Sequence, residues 1–245
     1  MALEFVMYNT TGSSKIRVDY DGTISCLKID NNIIVVTVEG PYPDPINVYH
    51  VKGYSHNALL NFALKDIEFD FYTKANLFRE KSSSVERLLE IFEPGSFCVE
   101  HVTNFVICEI VSNTEFVFGS FDDHSPFLFA TKQLNSLDRT TIDLYKQQII
   151  DGSKPIILSY RKDYSNGSLT GNSFLIDGHH KLVAYKELNV EPYIWEIANL
   201  VHHDYDELDQ SVCQYLNHQK IESLKYSYTV EGDSLGNVIK LKPRL

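Results

Sequence analysis

The stretch Ile176-Asp177-Gly178-His179-His180-Lys181-Leu182-Val183-Ala184-Tyr185 decides how this chain is read. Before it, Ser173-Phe174-Leu175-Ile176 is a short apolar run of strand type; after it, Leu182 to Leu188 suits a helix. Asp-Gly-His-His-Lys therefore falls where a strand turns directly into a helix. Gly178 permits a sharp turn or a close approach of the backbone to a ligand. The helix start behind it offers N–H groups and a positive dipole end, which suits a phosphate. His179, His180 and Lys181 add donors in the same turn and include groups able to do acid–base work. The same residues also have a purely structural reading, in which Gly178 only turns the chain and the histidines cap or hydrogen-bond locally.

The flanking segments extend the pattern. Leu137 to Ile150 predicts an amphipathic helix, capped by Asp138, with Ile142, Tyr145 and Ile149 on one face. Asp151-Gly152 ends it, glycine suiting a left-handed C-cap. Lys154 to Tyr160 reads as a strand with Pro155 at its edge, Asp163 to Asn172 as a long hairpin loop, and Ser173 to Ile176 as the return strand. Asn189 to Pro192 turns into a further strand, Tyr193 to Ile197.

Three pieces in this order resemble the ParB/sulfiredoxin superfamily: Gly152-Ser-Lys-Pro155-Ile156-Ile157, Ile176 to Tyr185, and Val190-Glu-Pro192-Tyr-Ile-Trp-Glu-Ile197. The resemblance runs from about 138 to 197, roughly a quarter of the chain. The superfamily spans sulfiredoxins, partition proteins that bind CTP and DNA, ParB-like nucleases and free-serine kinases, which share a nucleotide phosphate held at a Gly-x-x-Arg turn. Sulfiredoxins carry Gly-Cys-His-Arg; His179 stands at the cysteine position, so the catalytic sulfur is missing, while His180 and Lys181 match the His and Arg beside it. The partition proteins' Gly-Glu-Arg-Arg matches at Gly178 and conservatively at Lys181. The kinases' Asp-Gly-His-Thr-Arg matches at Asp177, Gly178 and His179, and there the Asp and His lie at the phosphotransfer site. Lys181 in place of arginine is a point charge without the bidentate fork. No glutamate matching the kinases' base can be placed; Asp138 and Asp151 are nearby acidic residues, each of which also reads as a helix cap.

The resemblance implies ATP or another nucleotide with Mg²⁺. It implies Gly178, His179, His180 and Lys181 as binding residues, Asp177 as metal ligand, and Asp177, His179 and His180 as catalytic residues. The activity would be phosphotransfer or nucleotide hydrolysis.

Residues 1–132 read differently. Leu3–Tyr8, Lys15–Tyr20, Ile24–Ile29, Ile33–Val38 and Ile46–Val51 are runs of β-branched and aromatic residues, with turns expected at Asp21-Gly22 and Asn31-Asn32. Pro41-Tyr-Pro-Asp-Pro45 ends one strand. Residues 55–65 suit a short helix. Ser82–Phe92 suits a better one, with a serine cap and Val85, Leu88, Leu89 and Phe92 on one face. Phe97–Ile110 and Thr114–Phe121 read as further strands and Asp122–Pro126 as a loop. The expectation is an α+β protein with a boundary near 130–136. An antiparallel β-rich part (1–132) is followed by a ParB/sulfiredoxin-like α/β domain with a C-terminal helical extension (133–245).

Composition bounds the partners. Of 245 residues, 43% are hydrophobic and 22% charged, as in ordinary globular chains, and 15 Tyr with 14 Phe favour strands and an aromatic core. The net charge of −11 argues against wrapping a nucleic acid, which needs a Lys/Arg surplus. Residues 1–132 hold 10 Lys and Arg against 18 Asp and Glu, and residues 133–245 hold 12 against 15, so the phosphate turn lies in the nearly balanced part, with Lys154, Arg161, Lys181 and Lys186 around it. A small phosphate-bearing ligand remains open. So does a protein partner for the acidic first part, as in an immunity or adaptor protein using the fold as a scaffold.

No Walker A, GxGxxG, HExxH or GxSxG pattern is present. His202-His203-Asp204-Tyr205-Asp206-Glu207 is rich in metal-capable groups, but contiguous residues rarely converge on one ion. That run reads as a loop before a helix near 206–218, with Val212, Tyr215, Leu216 and Gln219 on its face. Trp195 reads as core. Cys26, Cys98, Cys108 and Cys213 are scattered, which points to buried thiols in a reducing interior. With no apolar run near about 20 residues and no basic, apolar leader, a cytoplasmic protein without membrane contact is expected.

Overall fold

The computed structural model describes residues 5–21, 24–39, 46–50, 83–103, 105–108, 115–117, 127–132, 134–163, 172–201, 206, 210–212, 228–231 and 240–243. The protein is of mixed α and β content, with more strand than helix among the described residues. The first strands are β1 (Phe5–Thr10), β2 (Ile16–Tyr20), β3 (Ile24–Ile29), β4 (Asn32–Glu39) and β5 (Ile46–His50). Helix α1 (Ser83–Leu89) precedes β6 (Gly95–Val102), β7 (Val106–Cys108), β8 (Glu115–Val117) and β9 (Phe127–Ala130). Then come α2 (Arg139–Ile150), β10 (Ile157–Asp163), β11 (Asn172–Asp177), α3 (His179–Leu188) and β12 (Ile194–Leu200). A hairpin of β13 (Tyr228–Glu231) and β14 (Lys240–Pro243) completes the described elements.

Strands β2, β3, β4, β5 and β8 form an antiparallel sheet in that order, so the expected meander is present over its last four runs. The β3–β4 turn is centred on Asp30 (φ 49°) and Asn31 (φ 63°), one residue earlier than Asn31-Asn32. Two successive positive φ values match the right-handed twist of the paired strands, and Asp and Asn tolerate that conformation. β1 leaves the meander and pairs antiparallel with β6.

The second sheet has the order β1-β6-β12-β10-β11-β9-β7. β10–β12, β11–β9 and β7–β9 are parallel pairs; the others are antiparallel. The boundary expected at 132/133 does not separate two sheets: β1, β6, β7 and β9 come from before it and β10, β11 and β12 from after it. Past residue 133 the chain adds the helices α2 and α3 and contributes three further strands to the same sheet.

Each face of this sheet is buried differently. On one side Phe97, Tyr160, Phe174, Trp195 and Ile197 pack with Ile16, Leu27, Ile29 and Val35 of the other sheet. Val85, Leu88 and Leu89 of α1 and the adjoining Phe92 join the same core. Seven residues are too few for a helix to persist on propensity alone, so this apolar face is what holds α1. On the other side Ile157, Leu175 and Ile194 meet Leu182 and Tyr185 of α3. Trp195 is buried, as expected of a core residue.

A buried lysine also ties the layers. Lys162 on β10 bonds Glu93 Oε2 at 2.9 Å and Asp206 Oδ2 at 2.8 Å. Tyr160 donates to Glu93 Oε1 at 2.7 Å, and Asp206 exchanges main-chain and side-chain bonds with Tyr20 on β2.

The expected helix at 55–65 and the loop at 122–126 lie outside the described residues. So do the hairpin loop between 164 and 171, most of the run 202–207, and Tyr215, Leu216 and Gln219. Residues 210–212 are helical and Val212 is buried. Cys26 is buried and Cys98 half-buried, both as free thiols. Among the described residues no helix is long and apolar enough to cross a membrane.

Candidate functional site

The turn between β11 and α3 is built around one glycine. Gly178 is the N-cap of α3 with φ 97°, a left-handed conformation that glycine adopts without strain. A Cβ here would also lie 3.0 Å from the Ile157 Cα, closer than an ordinary contact, so space favours glycine as well. The first intrahelical bond runs from Leu182 N to Gly178 O at 2.7 Å. Gly178 has no side chain to cap the N–H groups ahead of that bond, and the dipole end of α3 lies here.

The side chains of the first helical turn divide. His179 points into the protein and is buried. Its Nε2 accepts a hydrogen bond from the Thr131 main-chain N–H at 3.2 Å and lies 3.1 Å from Thr131 Oγ1. The Thr131 hydroxyl donates to Leu175 O at 2.7 Å. Because an amide can only donate, the imidazole carries its proton on Nδ1. Lys181 is buried as well, its Nζ 3.0 Å from Asp177 Oδ2 one helical turn back and 5.6 Å from the Tyr145 ring centroid. Asp177 is partly exposed.

His180 is the half-buried member of the turn. Burial and then the Lys132 charge hold its imidazole below the usual range, against the opposite pull of Asp138 and Asp177. Burial likewise lowers Lys132, with Asp177 opposing. Asp177, Gly178 and His180 lie together in the turn by sequence, and the charges of Lys132 and Asp138 act on His180 there. Asp138 itself caps α2, accepting from Thr141 N at 2.8 Å and Thr141 Oγ1 at 2.5 Å. These bonds lower its pKa. Asp151 is the C-cap of α2.

Lys132 and Thr131 escape a reading of the sequence because they come just after β9, more than 40 residues before the motif. The signal that could have found them is the parallel pairing of β9 with β11, which sets Ala130 opposite Leu175 and carries the next two residues to the level of the turn.

Helix α2 is clamped to α3 by charge. Arg139 forms a two-armed ion pair with Glu187, and Lys146 reaches the same carboxylate at 3.0 Å. These bonds hold Glu187 down at about 2. The C-terminus of α2 closes as expected, with Gly152 at φ 91°, Gly152 N bonded to Ile149 O and Ser153 N to Gln148 O.

A second ionisable cluster crosses four strands of the same sheet. Glu196 on β12 is fully buried, accepts from the Ser173 hydroxyl and lies 2.7 Å from Arg161 Nη1. Arg161 also reaches Asp163 at 3.0 Å and Glu100 at 3.3 Å. Burial pushes Glu196 up to about 7 despite Arg161. Burial, then the Glu100 charge, pushes the nearby Cys98 thiol up to about 11, which keeps it protonated and unreactive.

Among the described residues no group of three or more His, Cys, Asp and Glu side chains is placed to hold a metal ion. No protein-family model, curated protein or solved structure matched this chain.

Proposed function

We propose that the chain binds a phosphate-bearing small molecule, a nucleotide in the reading drawn from the ParB/sulfiredoxin resemblance, at the β11–α3 turn. The observation that carries this is the convergence at Gly178. A helix N-terminus without a side-chain cap carries His180 in its first turn, and the Lys132 charge acts on that imidazole and on Asp177. His180 is the group of the turn suited to proton transfer, since its lowered pKa leaves it neutral at physiological pH and able to accept a proton. Phosphotransfer or nucleotide hydrolysis is the activity this supports.

The roles within the motif shift accordingly. Lys181 spends its charge on Asp177 and the Tyr145 ring, and Lys132 is a second cation whose charge acts on the same Asp177 and on His180. His179 serves as a positioning residue through Thr131. Asp177, partly exposed but already paired with Lys181 through Oδ2, is the carboxylate that would have to hold Mg²⁺ accompanying a nucleotide, a cation that needs only one or two carboxylates beside the phosphates.

Isothermal titration of the chain with ATP, CTP and inorganic phosphate, with and without Mg²⁺, tests the reading. Saturable heat that Lys132→Ala reduces supports it, and no heat with any of them removes it.

A second reading has its own observation. The inward His179 and the Asp177–Lys181 pair are what a turn kept only for structure would contain. In that case the fold serves as a scaffold for an acidic protein-binding surface, and a His180→Ala, Lys132→Ala double variant would keep full function in the cell. A ParB-like nuclease is the weaker alternative, given the net charge of −11.

A further inference from the structure

A cleft of ≈ 390 Å³ opens at the N-terminal ends of β10 and β12, at the end of α3 away from Gly178. Its volume is that of a small-molecule site. His101, Tyr185 and Tyr193 supply aromatic walls, and Lys154 and Glu191 supply charge. Tyr193 lies 4.6 Å from His101 and 6.1 Å from Trp195, centroid to centroid.

Two features set the sign of the ligand. Both helices end here: Ile149 and Gly152 bring the C-terminus of α2 to the wall, and Val190 that of α3. Each helix C-terminus carries a partial negative charge, and Glu191 adds a full one. The chain also already places an ammonium on the aromatic wall, since Lys154 Nζ lies 5.8 Å from the Tyr193 centroid. Lys154 is exposed and its stem is flexible, so it can swing into solvent when another cation arrives.

We propose that this cleft binds an organic cation, an alkylammonium group on an apolar or aromatic body, which takes the place of Lys154 on the Tyr193 ring. Tyr193 and Tyr185 face the ligand body, and Glu191 with the two helix ends selects positive charge. The site shares no residue with the phosphate turn, so neither proposal depends on the other.

The test uses the full chain, with benzyltrimethylammonium chloride and sodium benzoate as matched probes of opposite charge at constant ionic strength. Trp195 is the one tryptophan and neighbours Tyr193, so its fluorescence reports occupancy, with calorimetry as a second readout. The ammonium probe is expected to give a saturable response and benzoate none. Lys154→Ala should tighten ammonium binding about threefold, the size of one exposed cation–π contact. Glu191→Lys should weaken it by at least as much. Both side chains are exposed, so neither substitution disturbs the core. The proposal is overturned if neither readout saturates with the ammonium probe, if benzoate binds as tightly, or if Lys154→Ala weakens ammonium binding.

Discussion

The Thr131 main chain and the His179 ring are locked together: the Thr131 N–H donates to His179 Nε2 at 3.2 Å, inside the protein. This bond joins the end of β9 to the first turn of α3, and so sets the position of Lys132 against the Asp177–His180 turn. His179→Ala leaves a buried main-chain N–H without its acceptor, which costs about 1–3 kcal/mol. Urea unfolding should show that loss, with His179→Gln recovering part of it. If His179→Ala keeps full stability, the ring has no positioning role.

Two of the left-handed glycines, Gly178 and Gly152, should respond differently to alanine. Gly178→Ala brings both an unfavourable φ and a Cβ pressed on Ile157, for a combined cost of about 2–3 kcal/mol. At Gly152 a Cβ meets nothing within 4 Å, so only the backbone term of about 1 kcal/mol remains. Thermal or urea unfolding of the two variants side by side measures the difference, and equal losses would show that the contact with Ile157 is easily relieved.

Lys162 compensates two carboxylates, Glu93 and Asp206, between the sheets. Lys162→Ala should therefore cost about 3–5 kcal/mol, because it strands buried charge. The triple variant Lys162→Met, Glu93→Gln, Asp206→Asn should recover most of that loss. A cost below about 1 kcal/mol, the surface-pair range, would mean that water reaches the cluster.

Glu196 gives stability a pH dependence of definite sign. Its folded-state pKa, about 7, lies above the ordinary carboxylate value, so the folded state holds the proton more tightly than the unfolded one. The contribution is fully present below the unfolded pKa and declines as pH rises through the folded pKa. Glu196→Gln, which mimics the protonated form, should flatten the stability profile between about pH 4.5 and 7. An unchanged slope in unfolding experiments across that window would place its origin elsewhere.

Local structure was largely legible in the sequence where short-range physics decides it. The Asp138 cap, the Gly152 terminus, the apolar face of α1 and the glycine turn at 178 are all encoded by neighbours within a few residues. Strand partnership was not. Nothing near Phe5–Thr10 says that β1 will join β6 rather than continue into β2, because both pairings bury the same kind of residue. Side-chain direction at the turn was hidden for the same reason. Whether His179 faces a phosphate or Thr131 depends on where β9 lies, and that is a long-range pairing. Lys132 was invisible until the pairing of β9 with β11 was known.

The strand order of the larger sheet has a consequence for how the protein is made. β6 is enclosed by β1 on one side and by β12 on the other, although β12 comes more than 90 residues later in the chain. During synthesis β6 therefore waits with one edge open until residue 200 has left the ribosome, and β9 waits likewise for β11. Such distant pairings are slow to close and leave adhesive edges exposed meanwhile. A fragment ending at residue 132 would keep those edges open, because the strands that cover them lie beyond it.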